Sequence, residues 1–308
     1  MANTFLLKLL ASFLLIYQPA PRGAATAALP KPIQLAFPYN LEEPDETLEL
    51  PDSLVEVSGI SLTADNTQFA VNNDEQGIIF LLDKSTGAVE KRISFSDDGD
   101  YEDIEIVGDD AFVVKSNGTI YRVKDFVSAA PEIAKYKSFL NKENDVEGLG
   151  YDAARHQLLV GCKGKGVDGN GAALKKAIFG FDLNSLEMNP APLYVFTVQD
   201  VQHFLEHYPP CEARENFCER FSPGASEMKF SPSGIAVHPL TGDMYITSAS
   251  GKMLLVLNPQ GSIVYLQKLN KSIHPQPEGL CFDDDGTLYI SNEGKAGPGK
   301  ICKFRYRN

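Results

Sequence analysis

Short runs of alternating apolar and polar residues recur along most of the chain, each bounded by a turn signal. Five share one character: Gln68-Phe69-Ala70-Val71, Ala111-Phe112-Val113-Val114, Gln157-Leu158-Leu159-Val160, Asp243-Met244-Tyr245-Ile246 and Thr287-Leu288-Tyr289-Ile290. Period-two alternation rich in β-branched and aromatic residues predicts strands. The turns between strands use Asp65-Asn66, Gly108-Asp109-Asp110, Thr241-Gly242 and Asp284-Asp285-Gly286, residues whose side chains or glycine backbones suit tight turns. Third strands follow at 77–83, 118–123, 177–183, 252–257 and 300–306, and a fourth is visible at 89–95 and 262–269.

A short phrase precedes each of the five runs: Glu56-Val57-Ser58-Gly59-Ile60, Tyr101-Glu102-Asp103-Ile104, Asp145-Val146-Glu147-Gly148-Leu149, Ser231-Pro232-Ser233-Gly234-Ile235 and Gln276-Pro277-Glu278-Gly279-Leu280. Aligned on the residue before Gly (Asp103 in the second phrase), the column reads Ser58, Glu102, Glu147, Ser233, Glu278, with steps of 44, 45, 86 and 45 residues. Four strands per unit of that length predict an all-β fold, a β-propeller. Five phrases predict five blades, with six as the alternative because 86 is nearly two repeats. Residues 198–230 break the alternation. Val201-Gln202-His203-Phe204-Leu205-Glu206-His207 reads as a helix stopped by Pro209-Pro210, so an insert with one helix is expected there. The last unit has three strands, and residues 35–50 are expected to supply its fourth, pairing the N- and C-terminal strands.

In a propeller the first strand of each blade lines a central channel, so one column converges on one axis. Glu102, Glu147 and Glu278 are therefore expected to face one another, with Ser58 and Ser233 between them. Three facing carboxylates are costly unless neutralised. A hard cation such as Ca²⁺ accepts carboxylates, hydroxyls and waters. Zn²⁺ suits the column less, because it contains no His or Cys. Alternatives stand beside a metal: each Glu caps backbone N–H groups of its own blade, or Lys115 and Lys163 neutralise the acids without metal or hold an anionic ligand. The loops after the second strands share this face and add Asn73, Asn292 and Glu293 to the candidate ligand pocket of Ser58, Ser233, Lys115 and Lys163. His274, four residues before Glu278, is the candidate general base. His203 and His207 are spaced to share a helix face, but the H-E-x-x-H arrangement is absent.

These residues resemble the SdiA-regulated (YjiK-like) family of exported bacterial propellers, through the recurrent phrase and through Phe69-Ala70-Val71-Asn72-Asn73-Asp74 and Leu288-Tyr289-Ile290-Ser291-Asn292-Glu293. The resemblance implies kinship with phytase-like esterase and lactonase propellers, in which Ca²⁺ sits in the channel, and hence a metal on Glu102, Glu147 and Glu278. Two column positions are Ser, which lowers the ligand count.

Composition sharpens the setting. Lys8 precedes the apolar run 9–16, and Ala25-Thr26-Ala27 resembles a cleavage site, so residues 1–27 are expected to be a signal peptide and 28–308 one periplasmic or secreted propeller domain. The run is too short to span a bilayer, and no membrane insertion is expected after cleavage. The net charge of −13 disfavours nucleic acid and anionic membrane as partners. Cys211 and Cys218 flank a polar loop and are a candidate disulfide for an oxidising compartment, whereas Cys162, Cys281 and Cys302 sit in strand-like runs and read as core residues. The expected function is binding of a small ligand or an envelope protein at the channel mouth, with Ca²⁺ on the ring. A Ca²⁺-dependent hydrolase and a cell-envelope scaffold are the alternatives.

Overall fold

The computed structural model describes residues 37–166, 169, 171–207 and 214–307. The predicted signal peptide lies outside the described residues. Alternation becomes five antiparallel sheets. The first blade comprises β2 (Val57–Leu62), β3 (Gln68–Asn73), β4 (Ile78–Asp83) and β5 (Val89–Ser94), following β1 (Glu46–Glu49) in the chain. The second holds β6 (Tyr101–Val107), β7 (Asp110–Lys115), β8 (Ile120–Lys124) and β9 (Glu132–Tyr136). The third holds β10 (Val146–Asp152), β11 (Gln157–Cys162) and β12 (Lys175–Asp182), whose outer edge is shared by β13 (Glu187–Met188) and β14 (Tyr194–Thr197). The fourth has β15 (Gly234–Val237), β16 (Met244–Ser248), β17 (Met253–Leu257) and β18 (Ile263–Lys268). The fifth has β19 (Pro277–Phe282), β20 (Leu288–Asn292) and β21 (Lys300–Phe304).

The fifth blade takes its fourth strand from the N-terminal side. β1 pairs antiparallel with β21, Glu46 opposite Lys303 and Glu49 opposite Lys300. This covers the outer edge of β21, as a closed ring requires. Innermost strands β2, β6, β10, β15 and β19 neighbour one another in turn, and β19 returns to β2.

Five apolar clusters fill the five seams between blades. Between the first and second lie Ile79, Leu81, Ile104, Val113 and Tyr121, and between the fifth and first lie Val57, Phe69, Tyr289 and Ile301. Side chains on the two faces of each twisted sheet thus belong to different clusters. Cys162, Cys281 and Cys302 are buried in this core, as expected.

The 86-residue step contains an insert and no sixth blade. Helix α1 (Val198–His207) forms where the sequence predicts one, and a second helix, α2 (Arg214–Arg220), follows. Val198, Val201, Phe204, Leu205, Phe217 and Phe221 are buried in the cluster that joins the third and fourth blades. The second helix was hidden by its polar composition; Phe217 and Phe221 are four apart, which puts both on one helical face.

Candidate functional site

A β-bulge places the predicted column. The ladder register shifts between Val57 and Ile60, Tyr101 and Asp103, Val146 and Gly148, and Pro277 and Leu280. Ser58, Glu102, Glu147 and Glu278 each fall inside such a shift. A bulge bends the strand and re-aims a side chain, and here it does so at the same level in four blades. Ser233 occupies the corresponding place just before β15, its N–H donating to Thr247 O at 2.9 Å.

The glycines of the phrase let these strands approach. A Cβ on Gly279 would lie 2.8 Å from Ile60 N and 2.9 Å from Ser58 O; one on Gly234 would lie 2.5 Å from Glu278 O. Side chains there would push the first, fourth and fifth blades apart.

Glu102 and Glu278 each lie close enough to Glu147 to feel its charge. Burial first, then the charges of Glu147 and Asp100, push Glu102 up to about 9. Burial and Glu147 push Glu278 up to about 8. Burial also raises Glu147, to about 7, against the opposing pull of Lys163. Lys163 makes a close ion pair with Glu147 and stands 3.8 Å from Asp145. The carboxylates are thus partly buried around an ammonium that faces several acids.

The other predicted pocket residues divide between roles. Lys115 holds its Nζ 4.7 Å from the centre of the Tyr101 ring. Glu293 receives a hydrogen bond from the Gln276 amide and lies 3.7 Å from Lys295; its charge reaches Glu278 and Asp74. Asn73 staples its own loop, accepting from Gln76 N at 2.9 Å. Ser233 Oγ donates to Pro277 O at 3.0 Å, across the seam to the fifth blade. Ser58 is almost buried, and its carbonyl accepts from Ser291 Oγ at 2.9 Å. Asn292 is buried and donates to Ile290 O at 3.2 Å. The serines and asparagines therefore hold blades and loops in place, while Glu and Lys carry the channel's charge.

His274 is not at the rim. It is fully buried beside Phe304, ring centres 5.6 Å apart, with neither ring nitrogen hydrogen-bonded. Burial pushes it down to about 4 and keeps it neutral. A general base must come within hydrogen-bond reach of a substrate proton, and an enclosed ring cannot. The Cys211–Cys218 pairing lies outside the described residues because Cys211 does; Cys218 is exposed on α2.

Three acids escaped the column. Asp103 stands where the other phrases have Gly. It is buried, accepting from Ile104 N at 2.9 Å and Leu149 N at 2.7 Å, and burial drives its carboxyl well above the ordinary value. Gly59 makes room for it: a Cβ there would meet Asp103 Oδ1 at 2.4 Å. An acid in a glycine column was the available signal. Asp74, at the end of β3, is raised to about 6 by burial and then by Glu56, and its Oδ1 is buried without a partner. Glu105, deeper along β6, accepts from Ser61 Oγ at 2.7 Å and Ile106 N at 3.0 Å.

Glu105 and Ser61 border a cavity of about 560 Å³ at the opposite mouth, with Tyr151, Arg155, His238 and Phe282. Concavity and unmatched charge therefore lie at different ends of the channel. At the ring the donors are all carboxylate oxygens, a set that fits a hard cation. They do not form a ready-made cage: among the described residues, three such ligand atoms come within 4.8 Å of one another at His203, Glu206 and His207.

The sequence profile of the SdiA-regulated family matches residues 44–165 and 226–296, more than half of the chain. The chain belongs to the SdiA-regulated family. No curated protein matches its sequence. Among solved structures, it is similar to a streptogramin B lyase at 14% identity and TM-score 0.43, over 84% of this chain and 68% of that one. It is similar to a nidogen/laminin complex at 13% identity and TM-score 0.47, over 77% and 72%. It is also similar to the PQQ-bound aldose sugar dehydrogenase of Streptomyces coelicolor at 11% identity and TM-score 0.48, over 85% and 97%.

Proposed function

We propose that this protein is an exported propeller that binds a small ligand at the glutamate mouth of its channel, through a Ca²⁺ ion held by Glu102, Glu147 and Glu278. The observation that carries the reading is three partly buried glutamates from three blades, each raised by burial, with the Lys163 ammonium lowering all three. When bound, the cation offsets carboxylate repulsion and supplies an electropositive point for an anionic or carbonyl oxygen. Incomplete protein ligation leaves coordination positions for water or ligand. Binding is favoured over hydrolysis because His274, the candidate base, is sealed in the core.

Calorimetric titration of chelator-treated protein with Ca²⁺ tests this. Glu147→Gln removes a ligand and should weaken binding by at least about tenfold, or ~1.4 kcal/mol. Lys163→Met removes the competing ammonium and should strengthen binding. Absence of Ca²⁺ binding, or weaker binding in Lys163→Met, would overturn the proposal and favour Lys163 as the ring's permanent counter-ion.

A further inference from the structure

Helix α1 presents two faces. Its apolar face is buried against the third and fourth blades, whereas His203, Glu206 and His207 are exposed on the other side. Their positions are i, i+3 and i+4, neighbours on a helical surface. One ligand atom from each lies within 4.8 Å of the other two, and the two imidazoles are 4.2 Å apart between ring centres.

We propose that this outer face is a binding site for a borderline transition-metal ion such as Zn²⁺, with His203, Glu206 and His207 as ligands. Two imidazoles and a carboxylate are a common donor set for Zn²⁺ and a poor one for Ca²⁺. Zn–ligand bonds of about 2.0–2.2 Å bring tetrahedral ligand atoms to roughly 3.3 Å from one another.

A second observation points the same way. His207 Nδ1 lies 2.9 Å from the backbone carbonyl of His203. A carbonyl oxygen only accepts, so Nδ1 carries the hydrogen and Nε2 presents a bare lone pair. A backbone carbonyl fixing one nitrogen so that the other ligates is the usual outer-shell arrangement of a metal-binding histidine. The site also lies in the last turn of α1, where the helix dipole favours a cation. Three protein ligands leave the fourth tetrahedral position to water or to a donor from a binding partner. This site does not depend on Ca²⁺ at the channel mouth.

Titration of the full chain with ZnCl₂, followed by calorimetry and by the shift in Tm, tests the proposal. One saturable Zn²⁺ per chain is expected. The paired substitution His203→Ala with His207→Ala should weaken it by roughly a hundredfold, the upper end of what loss of an outer-shell partner alone costs. All three side chains are exposed, so near-ultraviolet circular dichroism should confirm an unchanged fold. His156→Ala, Cys218→Ser and Glu147→Gln should each leave Zn²⁺ binding intact, and CaCl₂ should not displace it. Absence of saturable Zn²⁺ binding, survival of binding in the paired variant, or its loss in Cys218→Ser or Glu147→Gln would overturn the assignment.

Discussion

At one mouth of the channel, Glu147 stands near both Glu102 and Glu278, with Lys163 as their nearby cation. At the other mouth almost every polar group is matched. Glu105 accepts from Ser61 and Ile106. Asp152 is bridged by Arg155, which also reaches the Tyr194 hydroxyl at 3.0 Å. Asn66 donates to Asp284 at 2.7 Å, and Lys84 pairs with Asp283 at 2.6 Å. His238 accepts at Nδ1 from the Leu240 and Thr241 backbones, so its Nε2–H donates to Tyr39, whose hydroxyl donates to Gly286 O at 2.6 Å. The same strands make both ends, yet one pairs most of its polar groups, with Glu105 raised to about 7 by burial, whereas the other sets several acids around one ammonium. Buried polar groups in native structures are mostly hydrogen-bonded, so the mouth that gathers acids around one ammonium is the one on which the proposed function rests.

Three substitutions test this contrast, the largest effect first. Tyr39→Ala empties a buried aromatic site at the matched mouth and strands His238, at a cost of about 3–5 kcal/mol in chemical denaturation. It should leave Ca²⁺ affinity at the glutamate mouth unchanged in protein that remains folded; a tenfold loss there would show that the mouths are one unit.

Glu278→Gln probes the unmatched mouth. Folding raises the glutamate values to about 7, 8 and 9, while the unfolded chain releases these protons near the ordinary value of about 4.3. Between those limits the folded state binds more protons than the unfolded one, so metal-free stability falls as pH rises from about 5 to 9. Glu278→Gln removes one such group, should flatten the fall, and should raise Tm at pH 8.5 by about 2–4 °C, equivalent to ~1 kcal/mol. Thermal melts across that range decide it; an unchanged slope would mean that the glutamates ionise freely.

Arg155→Ala should matter least. Its guanidinium is about half exposed, and such ion pairs contribute about 0–1 kcal/mol. A larger loss would show that the matched mouth relies on charge more than on its hydrogen bonds and aromatic packing.

Much of this was legible in the chain. The repeat of 44 or 45 residues, the turns and the alternation imply blades, because one pleated strand must show one face to each seam. The column of Ser58, Glu102, Glu147, Ser233 and Glu278 follows from the same arithmetic. What the column cannot express is which members face the axis as charge and which turn to a neighbour's backbone. Ser233 looked like a pocket residue, but the carbonyls of Pro277 and Glu278 come within reach of its hydroxyl. His274 looked close to Glu278 in sequence, but its ring is buried and packs on Phe304. Asp103 stands at a glycine position of the repeat, and its carboxylate is housed by the adjacent blade, accepting from Leu149 N at 2.7 Å.

The sequence by itself determined the propeller, a count of five blades with six as the alternative, its closing strand and the column that holds the three glutamates, since each depends on local period and composition. Only the tertiary structure decided which polar residues are already satisfied, where the second helix docks and which mouth is left with unmatched charge. Many of those outcomes depend on neighbours distant in the chain, such as Ser58 and Ser291 or Asp103 and Leu149, brought within a few ångströms by the closing of the ring.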